Sequence, residues 1–198
     1  MDPVATVTGH AIPLPRADVD TDQIIPARHL KRIERTGYGE FAFEYWRKND
    51  PDFVVNRPEY QDAPILLAGP NFGCGSSREH AVWALQQMGL RAVVGTSFAD
   101  IFRNNSAKMG LLLAPLEPAD VGYLMQRAQD TPDAQITVDL PTQSVSIPGG
   151  WRRSFEIDPF VKHCLLNGLD DIGLTLQHED AIAAFEAQRP ALLPRTKR

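Results

Sequence analysis

The stretch Gly69-Pro70-Asn71-Phe72-Gly73-Cys74-Gly75-Ser76-Ser77-Arg78-Glu79-His80 constrains this chain more than any other. Before it, Ile65-Leu66-Leu67-Ala68 is a short apolar run that reads as a buried strand. After it, Ala81, Leu85 and Met88, with Val82 beside them, recur at helical spacing, and Gly89 supplies a stop. The stretch is therefore a strand, a glycine turn and a helix start. Gly73 and Gly75 allow a tight turn with positive φ. Ser76 followed by Glu79 has the spacing of a capping box. The free N–H groups and the dipole of a helix N-terminus favour an anion. Arg78 adds a guanidinium fork suited to a carboxylate. Two hydroxyls, Ser76 and Ser77, stand beside it. Structural capping, anion binding and catalysis all fit this pattern. A dinucleotide fingerprint fits poorly because the spacing is not G-x-G-x-x-G, and no Gly-Lys-Ser/Thr follows for a phosphate loop.

The elements on either side predict how that turn is framed. Residues 91–96 and 111–114 read as two more buried strands, and residues 98–110 as a helix ended by Gly110. Strand, helix, strand, helix, strand at this spacing predicts parallel pairing with helices on the faces. Ligands of such sheets lie beyond the carboxyl ends of the strands, where the glycine turn leaves. Residues 4–12 read as a strand or hairpin, and 135–140, 143–147 and 153–157 as strands of an antiparallel portion. Residues 117–129, 158–168 and 179–188 read as helices, the second with a cap at Asp158, Pro159 at its first position and Asn167-Gly168 at its end. The expected fold class is α/β: one domain over 1–198, a partly parallel sheet flanked by helices with additional antiparallel strands, and a flexible basic tail at about 190–198.

Composition excludes several classes. A net charge of −5 argues against nucleic acid as a partner. No apolar run reaches the roughly 18 residues of a membrane span, and no leader pattern is expected at the N-terminus. Cys74 and Cys164 make no disulfide framework, which fits a cytoplasmic setting. Two cysteines cannot by themselves hold an iron–sulfur cluster, and no His/Cys/Asp cluster has metal-ligand spacing. The run Asp18-Val19-Asp20-Thr21-Asp22-Gln23-Ile24-Ile25-Pro26 reads as a surface turn capped by Thr21 or Asp22; it lacks the Gly and Glu of a calcium loop. Residues 27–33 read as a short helical segment with solvated Lys31 and Arg32. Residues 39–47, dense in Phe41, Phe43, Tyr45 and Trp46, read as a helix packed on the core or on a partner.

Phe72-Gly73-Cys74-Gly75-Ser76-Ser77-Arg78-Glu79-His80-Ala81 resembles the signature of the swivelling domain of the aconitase superfamily. Within it the chain resembles the small subunits of 3-isopropylmalate dehydratase along nearly its whole length. The resemblance implies a β/β/α swivelling fold and a hydro-lyase of leucine biosynthesis that isomerises 2- and 3-isopropylmalate. It implies Ser76 as the proton-transfer residue. Ser77, Arg78, Gly75 and Asp22 would bind substrate, with Lys31 and Arg32 facing its variable arm and Thr21, Glu79 and His80 supporting these groups. It implies no metal in this chain, a [4Fe–4S] cluster in a large partner subunit, and activity only in the heteromer. Residues 28–47 would be mobile without that partner. The rivals are a related hydro-lyase small subunit, of homoaconitate, citraconate or methylmalate type, a non-catalytic anion-binding module, and an interaction scaffold.

Overall fold

The computed structural model describes residues 1–189; the expected basic tail lies outside them. Four short strands form the parallel sheet: β2 (Ala11–Leu14), β3 (Ile65–Ala68), β4 (Ala92–Gly95) and β5 (Leu112–Pro115), in that spatial order. Each is buried nearly end to end. Their unbroken apolar runs follow, because both faces of this sheet are covered. On one face Ile12, Leu14, Leu66, Ala68, Val93 and Leu113 meet α3 (Glu79–Gln87) and α4 (Asp100–Met109). On the other, Ala11, Ile65, Leu67, Ala92, Val94, Leu112 and Ala114 meet α5 (Pro118–Asp130) and the second sheet. Pro13 is tolerated because β2 is an edge strand.

The second sheet is antiparallel, ordered β1 (Thr6–Gly9), β6 (Ile136–Asp139), β7 (Ser144–Ser146) and β8 (Arg152–Ser154). No N-terminal hairpin forms. β1 pairs with β6, and after His10 the chain crosses to pair β2 with β3. One strand run thereby joins both sheets, and Val7, Ile136, Val138 and Val145 bring the antiparallel face into the shared layer. The expected third strand is shorter than residues 153–157. Past Ser154, Phe155 turns inward to bury, and the chain leaves for α6 (Pro159–Asn167), capped by Asp158 and closed by left-handed Gly168. Two further helices follow, α7 (Asp171–Leu176) and α8 (Glu179–Ala187).

Residues 39–47 do not make one helix. A 3-10 turn at Gly39–Phe41 gives way to α2 (Glu44–Asn49) through Phe43, whose φ of 54° breaks the helical path. Phe43 is buried and stacks against Trp46, while Tyr45 faces solvent. The proline-rich connection before β3 is tied down as well: the Tyr60 hydroxyl donates to the Ala128 carbonyl of α5 at 3.1 Å. The parallel strands run in sequential order, so the sheet has no point at which its winding reverses. The loops after β2, β3 and β4 instead continue the parallel pairing beyond the sheet, through bridges between Asp20 and Cys74 and between Phe72 and Phe98. This zipped set of loops forms the floor on which the polar groups stand.

Candidate active site

The glycine turn leaves the carboxyl end of β3 as its sequence requires. Gly73 and Gly75 have φ of 79° and 90°. A side chain at Gly73 is also excluded by packing, since its Cβ would lie 2.2 Å from the Phe102 ring. The Gly73 N–H donates to the Val19 carbonyl at 2.7 Å, and the Thr21 N–H to the Cys74 carbonyl at 2.9 Å. The Thr21 hydroxyl, buried, donates to the Ser76 carbonyl at 3.0 Å. The aspartate-rich run is thus laced to the serine turn along its length.

The capping box of Ser76 and Glu79 does not form. Arg78 is the N-cap of α3, and no side chain caps the helix. The extended backbone of Arg78 delays the helix start beyond the reach of either serine. Ser76 and Ser77 are exposed, and neither hydroxyl has a hydrogen-bond partner among the described residues. Glu79 is exposed and caps nothing. The cap of the aspartate run is likewise neither Thr21 nor Asp22: Asp20 caps α1 (Thr21–Ile24), in a reciprocal box with Gln23. The Asp20 carboxylate accepts from the Gln23 N–H at 2.8 Å, and the Gln23 side chain accepts from the Asp20 N–H at 2.9 Å.

That arrangement frees Asp22. Its carboxylate takes both ends of the Arg78 guanidinium, at 2.5 and 2.9 Å, and also accepts from the Ala27 N–H. The hydrogen bonds from Arg78 hold the Asp22 carboxyl below the usual carboxylate range, against the opposing pull of partial burial. Arg78 itself is mostly covered, with its side chain 15% exposed against 54% for Asp22. A guanidinium held at the helix N-terminus, paired by an exposed acid and flanked by two free hydroxyls, is a ready receptor for a second carboxylate.

His80 lies on the covered side of α3, its ring packed edge-on against Tyr38 at 5.3 Å and tilted over Trp83 at 4.7 Å. Burial pushes its pKa down; Glu79 opposes that and Arg78 adds to it. Lys31 sits exposed at the end of a 3-10 turn (Ala27–Lys31). Arg32 lies over the Phe41 ring at 5.0 Å and the Tyr38 ring at 5.6 Å. The structure bonds Asp22 to Arg78 and Thr21 to the Ser76 backbone, with Gly75 packed beside Thr21 and Ser77 next to Arg78 in the chain, and it sets Arg32 against Tyr38, whose ring packs on His80. Sequence reading missed Glu44. Buried at the start of α2, it accepts from Arg28 and His29, each at 2.5 Å, and from Lys48, and so ties residues 28–29 to α2. Its Glu44-to-Lys48 spacing was the available signal. The segment expected to be mobile is therefore anchored at its base, while Ile33 near its tip is 95% exposed.

Among the described residues no three His, Cys, Asp or Glu side chains gather as a metal site. Cys74 is half-buried and Cys164 is buried in α6, so this chain's residues do not fit an iron–sulfur cluster.

The family model described as Aconitase C-terminal domain matches residues 1–120, across the parallel sheet and this site. LeuD_N matches residues 123–159, and the model for the C-terminal domain of the 3-isopropylmalate dehydratase small subunit matches 171–197. A 3-isopropylmalate dehydratase small subunit of Rubrobacter xylanophilus is 56% identical over 195 residues, which span 98% of this chain and 99% of that one. The chain belongs to the 3-isopropylmalate dehydratase small-subunit family. Another member, from Acidothermus cellulolyticus, is 54% identical over 197 residues, 100% of this chain and 99% of its own. A crystal structure of the 3-isopropylmalate dehydratase of Methanocaldococcus jannaschii superposes with a TM-score of 0.66 at 26% identity, covering 91% of this chain and 99% of that one. The relatives' name, small subunit, implies a large partner subunit. Among the described residues no helix is long and apolar enough to cross a membrane.

Proposed function

We infer that this chain supplies the proton-transfer and carboxylate-binding half of a heteromeric hydro-lyase that interconverts 2- and 3-isopropylmalate. The observation that carries the reading is the bidentate Arg78–Asp22 pair beside the free hydroxyls of Ser76 and Ser77. A substrate carboxylate meets Arg78, Ser77 and the Gly75 backbone, in exchange for or alongside Asp22. Ser76, as alkoxide, takes the proton from the carbon next to that carboxylate, and the carbon–oxygen bond to the hydroxyl breaks to leave a double bond. Water returns across the same bond with its hydroxyl on the other carbon, so the sum is an isomerisation. Serine is a weak base unless its alkoxide is stabilised; Arg78 and the N-terminus of α3 supply the positive field. Thr21 fixes the Ser76 backbone, and His80 packs behind the helix start. Lys31 and Arg32 face the variable arm of the substrate.

The large subunit's [4Fe–4S] cluster, when bound, supplies the Lewis acidity that helps hydroxide leave. The reading therefore assigns this chain no activity by itself, no nucleic-acid or membrane partner, and a cytoplasmic setting. The layer of side chains shared by the two sheets supports treating the chain as one moving unit.

Isopropylmalate isomerisation, followed after anaerobic mixing with the large subunit and with each subunit alone, tests this. Activity is expected only in the mixture, falling by about 10³-fold on Ser76→Ala. An assembled, cluster-loaded mixture that turns over homoaconitate, citraconate or a methylmalate instead would reassign the substrate. Undiminished turnover by Ser76→Ala would remove the serine from its role.

A further inference from the structure

The helix that carries Arg78 at its start also holds the 32–39 segment along one face. His80, Trp83 and Gln87 recur at helical spacing and present a single stripe. Tyr38, fully buried, sets its ring against His80 and Trp83, at 5.3 and 5.8 Å. The Arg35 guanidinium lies 5.7 Å over the Trp83 ring. At the end of the stripe one side chain makes two backbone contacts. The Gln87 amide oxygen accepts from the Tyr38 N–H at 2.8 Å, and its NH₂ donates to the Arg35 carbonyl at 2.8 Å. Gly39 completes the contact, because a Cβ there would lie 2.4 Å from the Gln87 carbonyl oxygen. The segment lies backbone to backbone against the last turn of α3.

We propose that Gln87 is a positioning residue for substrate selection: its amide clamps residues 35–38 to α3 and so fixes Lys31 and Arg32 relative to Arg78. A carboxamide carries an acceptor oxygen and a donor NH₂ on one planar group, so it can accept from one backbone group and donate to another at the same time. Gln87 stands about 13 Å along the helix from Arg78, at about 1.5 Å per residue, and so acts through the loop and not on the reacting atoms. The inference rests on the reading of Lys31 and Arg32 as facing the variable arm of the substrate.

Two variants in the complex with the large subunit, and in the free subunit, test it. Gln87→Met keeps the length and removes both hydrogen bonds; Gln87→Glu keeps the acceptor for Tyr38 and loses the donor to Arg35. In the complex, Gln87→Met is expected to raise KM for isopropylmalate about tenfold with kcat within about twofold, and Gln87→Glu to raise it less. In the free subunit, limited trypsin nicking after Lys31, Arg32 and Arg35 should quicken about tenfold in Gln87→Met, which corresponds to about 1.4 kcal/mol of clamp. Unchanged nicking and KM in both variants would overturn the proposal. So would kcat, KM and thermal midpoint shifting together, which is the signature of general loosening. Faster nicking in a protein whose wild-type complex ignores isopropylmalate would support the clamp and overturn the substrate reading. Should Gln87→Met fail to fold, Gln87→Glu carries the same comparison.

Discussion

Among the acids that meet arginine in this chain, Glu44 and Asp22 do opposite things. Glu44 is 6% exposed and is met by three cations, Arg28, His29 and Lys48. Asp22 is 54% exposed and is met by one, Arg78. Burial works against the charge on Glu44, but hydrogen bonds from Lys48 and His29 and the charge of Arg28 outweigh it and hold its pKa at about 2. Asp22 is lowered by Arg78 alone among side chains. The first is an anchor: its carboxylate is spent on cations that hold a segment in place, and no ligand can reach it. The second is a receptor in waiting, whose exposed acid can yield a covered guanidinium to a substrate carboxylate. An arginine–carboxylate pair is thus informative only together with its burial and the number of its partners.

The contrast can be broken most directly at Arg78. Arg78→Ala should lower kcat/KM of the assembled enzyme by about 10²- to 10³-fold while changing the stability of the subunit by less than about 1 kcal/mol, as kinetics and urea titration would read. A large stability loss without a kinetic one would make this pair an anchor too. Glu44→Ala should do the reverse. Arg28 and Lys48 are 61% and 69% exposed and return to water, so the expected loss is at the lower edge for a broken buried pair, about 3 kcal/mol, or about 6–12 °C in Tm. The sign with pH follows from a lowered folded pKa. The ionised Glu44 contributes in full above its ordinary pKa of 4.5, and the contribution is lost as pH falls toward about 2. Urea titrations across that window should show a shallower pH slope in Glu44→Ala than in the wild type. The smallest effect is expected at Asp22. Asp22→Asn should shift stability by less than about 1 kcal/mol and raise KM roughly threefold, because the guanidinium loses the partner that orients its fork. A stability loss as large as that of Glu44→Ala would erase the distinction between the two acids.

Much of this was legible in the residues. The glycine turn, the strand before it, the helix after it and the stops at Gly110 and Gly168 stand where their local chemistry puts them. The unbroken apolar runs of β3, β4 and β5 announced a parallel sheet covered on both faces. Local patterns failed where two solutions were locally equal. Ser76 with Glu79 and Asp20 with Gln23 have the same spacing, yet only the second pair closes a cap, because the extended backbone at Arg78 starts its helix too late for the first. The N-terminal run read equally as a strand or a hairpin, because nothing in its alternation says which sheet each part will join.

By itself the sequence determined the strand–turn–helix unit, the parallel pairing of β3, β4 and β5 and the family, since these rest on glycine conformation, apolar periodicity and a contiguous motif. Only the tertiary structure decided that Asp22 pairs with Arg78, that Glu44 is buried among three cations, and that Gln87 grips Arg35 and Tyr38. Asp22 and Arg78 are 56 residues apart, and Gln87 and Tyr38 are 49 apart. Local propensity does not reach that far: charged and amide side chains take their partners from whichever backbone the packing of the sheet brings beside them.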